Sequence, residues 1–234
     1  MNMGSQTISL PQARRDAASI FLAKVFYWMA IGLAVTAVVA WLTVQSGLVF
    51  HLLGAPLMVL FIATIALVWY LSAKVMEMSP SAATGCFVGY AALNGLTLSV
   101  IFLAYTMTSI ASTFVITAGM FGAMSLYGFI TKRDLSGLGS FLFMGLIGIL
   151  IAMVVNIFLH SSSLHWTISV LGVLIFVGLT AYDVQKIKEM GEQGILEQGD
   201  AMIQRGAVIG ALRLYLYFIN LFLMLLRFFG GSRN

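Results

Sequence analysis

Apolar residues fill this chain in long unbroken stretches. They do not alternate as in strands, nor do they form the single stripe of a soluble amphipathic helix. Seven stretches stand out, at approximately residues 21–44, 55–73, 82–105, 110–130, 138–159, 164–183 and 206–229. A helix needs roughly 20 apolar residues to cross about 30 Å of hydrocarbon, and each stretch reaches that length. The connections are too short to fold alone. The pattern predicts an all-α membrane protein: a cytoplasmic N-terminal segment 1–20, then one seven-helix domain over residues 21–234 with its longest cytoplasmic loop at 186–205. The first twenty residues carry no apolar run, so no cleaved signal peptide is expected.

Composition narrows the class. The chain is 61% hydrophobic and 9% charged, with a mean hydropathy of +1.02. A soluble domain carries roughly a quarter charged residues, so a soluble or disordered chain is excluded. A pI near 9.3 does not signal nucleic acid, because the basic residues are scattered rather than gathered into a patch. One cysteine rules out a disulfide framework and a multi-thiolate metal site.

Charge placement sets the orientation. Arg14, Arg15, Lys24, Lys74, Lys132, Arg133, Lys186, Lys188 and Arg205 all fall on one side of the seven crossings. The alternate connections near residues 46–54, 106–109 and 160–163 hold no Lys or Arg. By the positive-inside rule the basic side is cytoplasmic. The N-terminus is then inside and the C-terminus outside, although Arg227 and Arg233 would favour the cytoplasm. The expected location is the cell membrane, the inner membrane in a Gram-negative cell.

Polar groups within spans are costly and therefore candidates for function. On the seventh span Gly206, Gly210, Arg213, Tyr217, Asn220 and Met224 recur at spacings that put them on one face. Such a stripe points into the bundle or into water. Asp183 closes the sixth span, and its depth permits a pair with Arg213. In the third span Tyr90, Asn94 and Thr97 share a face and could form a second wall. Asn94, Asn156 and Asn220 could line a pathway, but bridging between helices is the simpler role. The pairs Gly85/Gly89 and Gly206/Gly210, and the run Ala118, Gly119, Gly122, Ala123, read as helix-packing surfaces.

The segments Phe114–Gly122, Thr131–Leu135, Gly178–Asp183 and Leu214–Phe222 resemble the transmembrane Bax inhibitor motif family, in its bacterial branch. The resemblance covers nearly the whole chain. It implies six helices around a central, polar-lined seventh, and a pH-sensitive calcium leak across the membrane. It also implies a proton-sharing aspartate pair, one on the sixth span and one on the seventh. The first matches Asp183; the second falls on Tyr217. A phenol titrates near 10 and cannot share that proton near neutrality. Weakened pH gating is therefore expected, with Asp183, Arg213, Tyr217, Asn220 and Asn94 as the gating or pathway residues.

Other classes fit poorly. The seventh span has no lysine for a retinal Schiff base. A second intramembrane carboxylate, needed by an aspartyl protease, is missing. His51, His160 and His165 read as outer-side connections without metal-ligand spacing, so neither catalysis nor a resident cofactor or metal is expected. The resemblance also implies an alternative: a non-conducting regulator that binds a membrane protein partner, such as a membrane protease, for which the 186–205 loop is the candidate docking segment.

Overall fold

The computed structural model describes residues 10–231, so segment 1–9 and Arg233 lie outside the described residues. Its helices are α1 (Leu10–Gln45), α2 (Leu48–Leu52), α3 (Ala55–Lys74), α4 (Pro80–Leu98), α5 (Ile101–Ala104), α6 (Met107–Ile130), α7 (Ser136–Leu159), α8 (Ser162–Glu192) and α9 (Asp200–Phe229). Seven helical segments are long and apolar enough to cross a membrane, α4 and α5 together forming one of them. The described residues contain no strand.

Local chemistry marks the ends of these helices. Gly47 and Gly54 flank α2 at φ 73° and 82°, a left-handed backbone that costs glycine little. Pro80 opens α4 in its first turn, and Ser79 accepts a hydrogen bond from Ala82 N. Ser161 caps α8 in the same way through Leu164 N. Such caps satisfy amides that have no partner within the helix.

Charged residues hide the true length of two helices. α1 begins at Leu10, well before the span start expected near residue 21. α8 runs nine residues beyond Asp183, so the expected 186–205 loop shrinks to residues 193–199 with a short 3₁₀ turn. Lys186 pairs with Glu189 at 2.8 Å and Lys188 with Glu192 at 3.9 Å. These one-turn pairs carry the helix past the apolar stretch.

α9 is the most buried of the seven. Its direct neighbours are α1, α4, α6 and α8, while α3 leans on α4 and α7 on α8. The expected ring of six helices around the seventh is not confirmed: α9 has four direct helix neighbours, and α3 and α7 pack outside them. One core cluster joins Phe21 and Val25 of α1, Phe87 and Tyr90 of α4, and Leu212 and Tyr215 of α9. A second joins Leu142 and Ile149 of α7, Phe176 of α8 and Leu221 of α9.

Glycines decide which helices come closest. A Cβ on Gly206 would meet Ile195 and Phe21, and one on Gly210 would meet Val25. That pair packs as expected. Gly85, Gly89, Gly119 and Gly122 have nothing within 4 Å of such a Cβ. These four positions border open space, Gly122 lining a cavity with Phe26 and Met29 of α1, so no close helix contact is made at them. The tightest approach comes from Gly128, whose Cβ would collide with the Ala181 backbone of α8.

The connections sort onto two faces. Arg205 Nη1 reaches Met76 O at 3.0 Å, and Gln185 Nε2 donates to Arg133 O at 2.8 Å. Together with the contact between Gly191 and Ala18, these links place the start of α1, the α3–α4 and α6–α7 turns and the α8–α9 turn at one end. At the other end Gly231 N donates to Ser109 Oγ at 2.9 Å, and Thr106 N donates to Gly231 O at 3.3 Å. The end of α9 is therefore fastened to the start of α6.

Candidate functional site

Asp183 sits on α8 about 14 Å from its C-terminal end at 1.5 Å per residue. Glycines on two neighbouring helices enclose this level. Gly128 of α6 abuts Ala181, and a Cβ on Gly139 of α7 would lie 2.5 Å from the Tyr182 ring. Gln185 fixes the next half-turn: its side chain accepts from Leu135 N at 2.9 Å. Asp183 is consequently only 3% exposed.

The third side is α9. Arg213 Nη1 lies 3.8 Å from Asp183 Oδ1, with 58% of the arginine side chain exposed. The pair expected from helix depth is present, but loose. A charge-assisted hydrogen bond spans about 2.7–2.9 Å. Oδ2 of Asp183 is buried without a hydrogen-bond partner among the described residues. Tyr217, one turn beyond Arg213, faces the same carboxylate, and its ring lies 6.1 Å from that of Phe176. A buried carboxylate is costly unless it is paired, and here the support comes from Tyr217 and a distant Arg213.

Asn94 lies elsewhere. It donates to Tyr215 Oη at 2.8 Å, and Tyr215 Oη lies 2.7 Å from Thr36 Oγ1. Thr36 Oγ1 is in turn 2.9 Å from Ala91 O. This buried knot ties α1, α4 and α9 together, and Tyr90 adds an edge-on ring contact to Tyr215 at 5.7 Å. Asn94 therefore bridges helices, with Tyr215 as the partner that sequence reasoning missed. No signal in the local sequence pattern singled that tyrosine out. Asn220 bonds its own helix at Leu216 O, 2.8 Å away, and Asn156 accepts from Ser161 N at 3.0 Å in the α7–α8 turn. No group of three His, Cys, Asp or Glu side chains gathers among the described residues.

Seven long apolar helices with a buried carboxylate among them define a multi-pass integral membrane protein. The family model described as inhibitor of apoptosis-promoting Bax1 matches residues 18–234. The chain belongs to this Bax inhibitor family. It is 54% identical to the inner membrane protein YbhL of Escherichia coli strain K12, over 94% of each chain. It is 48% identical to an uncharacterized protein of Borreliella burgdorferi, over 92% of this chain and 93% of that one. A Deinococcus radiodurans protein is 43% identical over 98% of both.

Proposed function

We propose that this chain is a cation leak pathway with calcium as the permeant ion, opened and closed at Asp183, Arg213 and Tyr217. The observation that carries the reading is the Asp183 carboxylate, held inside the bundle with one oxygen unpartnered and the other 3.8 Å from Arg213. Calcium is a hard cation that favours oxygen ligands, usually six to eight of them. A single carboxylate is too few to store the ion but enough to receive it in passing. Asp183 is nearly sealed, so conduction requires α8 and α9 to part. Arg213, more than half exposed, is the group free to swing away as they do.

Tyr217 occupies the position of the family's second aspartate. Without that carboxylate no proton is shared across the helices, and the pathway responds weakly to pH near neutrality. The basic end of the bundle faces the cytoplasm in this reading, and the C-terminal end of α9 faces outward. The test is calcium flux into proteoliposomes of purified protein between pH 6 and 8, alongside Tyr217→Asp and Asp183→Asn. A shallow wild-type profile, a steeper one for Tyr217→Asp and a reduced flux for Asp183→Asn are expected. Purified protein that carries no calcium, or unchanged flux in Asp183→Asn, removes the reading.

A further inference from the structure

At the end of the bundle remote from Asp183, α7, α8 and α9 enclose a cavity of about 670 Å³. Ligand sites commonly span roughly 300–1,000 Å³. Arg227, in the last turn of α9, lines this cavity with His160 of the α7–α8 turn and with Ser162 and His165 of the first turn of α8. Its guanidinium donates to Ser169 Oγ at 3.4 Å and lies 4.0 Å from Met224 Sδ. Both partners are neutral, and no carboxylate pairs with it among the described residues.

The cause lies in the whole chain. It has 8 Asp and Glu residues, and none is at this end. Asp16, Glu77, Asp134, Glu189, Glu192, Glu197 and Asp200 all belong to the opposite face, and Asp183 lies within α8 nearer to that face. A permanent cation and two imidazoles therefore line a space that receives no Asp or Glu side chain from the described residues. Arginine is well suited to close that gap with phosphate, which its fork can hold by two charge-assisted bonds.

We propose that this cavity binds the phosphate of an anionic phospholipid headgroup, of the phosphatidylglycerol type. The position argues for a lipid. The cavity opens at the ends of membrane spans, with Trp166 at 63% exposure and Ile157 at 66% on its rim. Tryptophan favours this interfacial depth. A second cavity of about 410 Å³ shares Ile168 as a wall and is lined toward mid-span by Gly145, Gly148 and Leu171, an apolar surface for an acyl chain. The charge argues for an anionic lipid over a zwitterionic one. The ammonium of phosphatidylethanolamine would meet Arg227 and the histidines here, with no carboxylate to receive it. Basic pockets between membrane helices recognise headgroups on this principle.

Native mass spectrometry on the full chain, in micelles holding equal phosphatidylglycerol and phosphatidylethanolamine, tests the assignment. Wild type should retain phosphatidylglycerol about fivefold over phosphatidylethanolamine, a modest free-energy difference. Arg227→Gln should lose that preference with its circular dichroism unchanged, and Arg227→Lys should keep part of it. Equal retention by wild type, or an undiminished preference in folded Arg227→Gln, overturns the proposal. A measurement on the unaltered site guards against misfolding of the arginine variants. Brominated phosphatidylglycerol should quench the Trp166 fluorescence, taken as the difference from Trp166→Phe, more than brominated phosphatidylethanolamine does; equal quenching overturns it. Millimolar inorganic phosphate should leave the bound lipid in place, and displacement would assign the site to the free anion instead.

Discussion

Asp183 of α8 and Tyr215 of α9 show two ways for a helix to hold a polar group in an apolar interior. Tyr215 is 0% exposed and its hydroxyl meets both Asn94 and Thr36. Tyr215→Phe keeps the ring packing but leaves the Asn94 amide unsatisfied, so a loss of about 1–3 kcal/mol is expected, read from unfolding in detergent. The Asp183–Arg213 pair should couple far less. A double-mutant cycle with Asp183→Asn and Arg213→Gln should return about 0.5–1 kcal/mol, because the arginine is largely exposed and the contact is long. A coupling above about 2 kcal/mol would mean a tighter latch than the geometry supports. The pair was legible in the sequence because helix rise fixes depth, and two charges at similar depth on neighbouring spans tend to meet. Tyr215 was not legible. It lies two residues from Tyr217, on the other side of α9, and nothing in the local pattern distinguishes its hydroxyl from that of any other span tyrosine.

Among the helices, glycine spacing proved a poor guide until neighbours were known. Gly85/Gly89 and Gly206/Gly210 have the same motif, yet only the second pair touches another helix of this chain. Gly85→Ala should therefore change stability by less than about 0.5 kcal/mol. Gly128→Val should cost about 1–3 kcal/mol or more, since its Cβ meets the Ala181 backbone, which cannot rotate aside. Thermal unfolding of the two variants side by side separates these cases. The continuation of α8 was readable in principle. Lys186 and Glu189, and Lys188 and Glu192, fall at helical spacing, but their charge marks a loop when only hydropathy is weighed. The α6–α7 connection carries a pH prediction. Ser136 N donates to Asp134 Oδ1 at 2.8 Å, and the hydrogen bonds of Ser136 hold the Asp134 carboxyl below its ordinary value of 3.8. A depressed folded value contributes stability above that ordinary pH and loses it as pH falls through the folded value. The protection factor of the Ser136 amide should fall as pH drops below the ordinary carboxyl value of 3.8, and Asp134→Asn should abolish that dependence.

For the molecule as a whole, the seven spans followed from the length of the apolar stretches, and the placement of basic residues predicts their sidedness. The relative placement of helices did not follow, since apolar faces in lipid do not announce their neighbours. Single cysteines introduced in a Cys86→Ala background test the sidedness. Lys132→Cys should be shielded from an impermeant thiol reagent in intact cells, and Ser162→Cys should react; the reverse pattern would invert the molecule. The knot at Tyr215 also bears on how the chain is made. Thr36 and Asn94 enter the bilayer with the first and third spans, long before ribosomes reach α9. Until then both wait without their phenol, and the groove that α9 will occupy stands open. Assembly must therefore finish at its last step, with the final helix sliding between partners already in place. Nascent chains halted before Asp200 should persist only under the protection of an insertase or a membrane chaperone, and should otherwise be degraded.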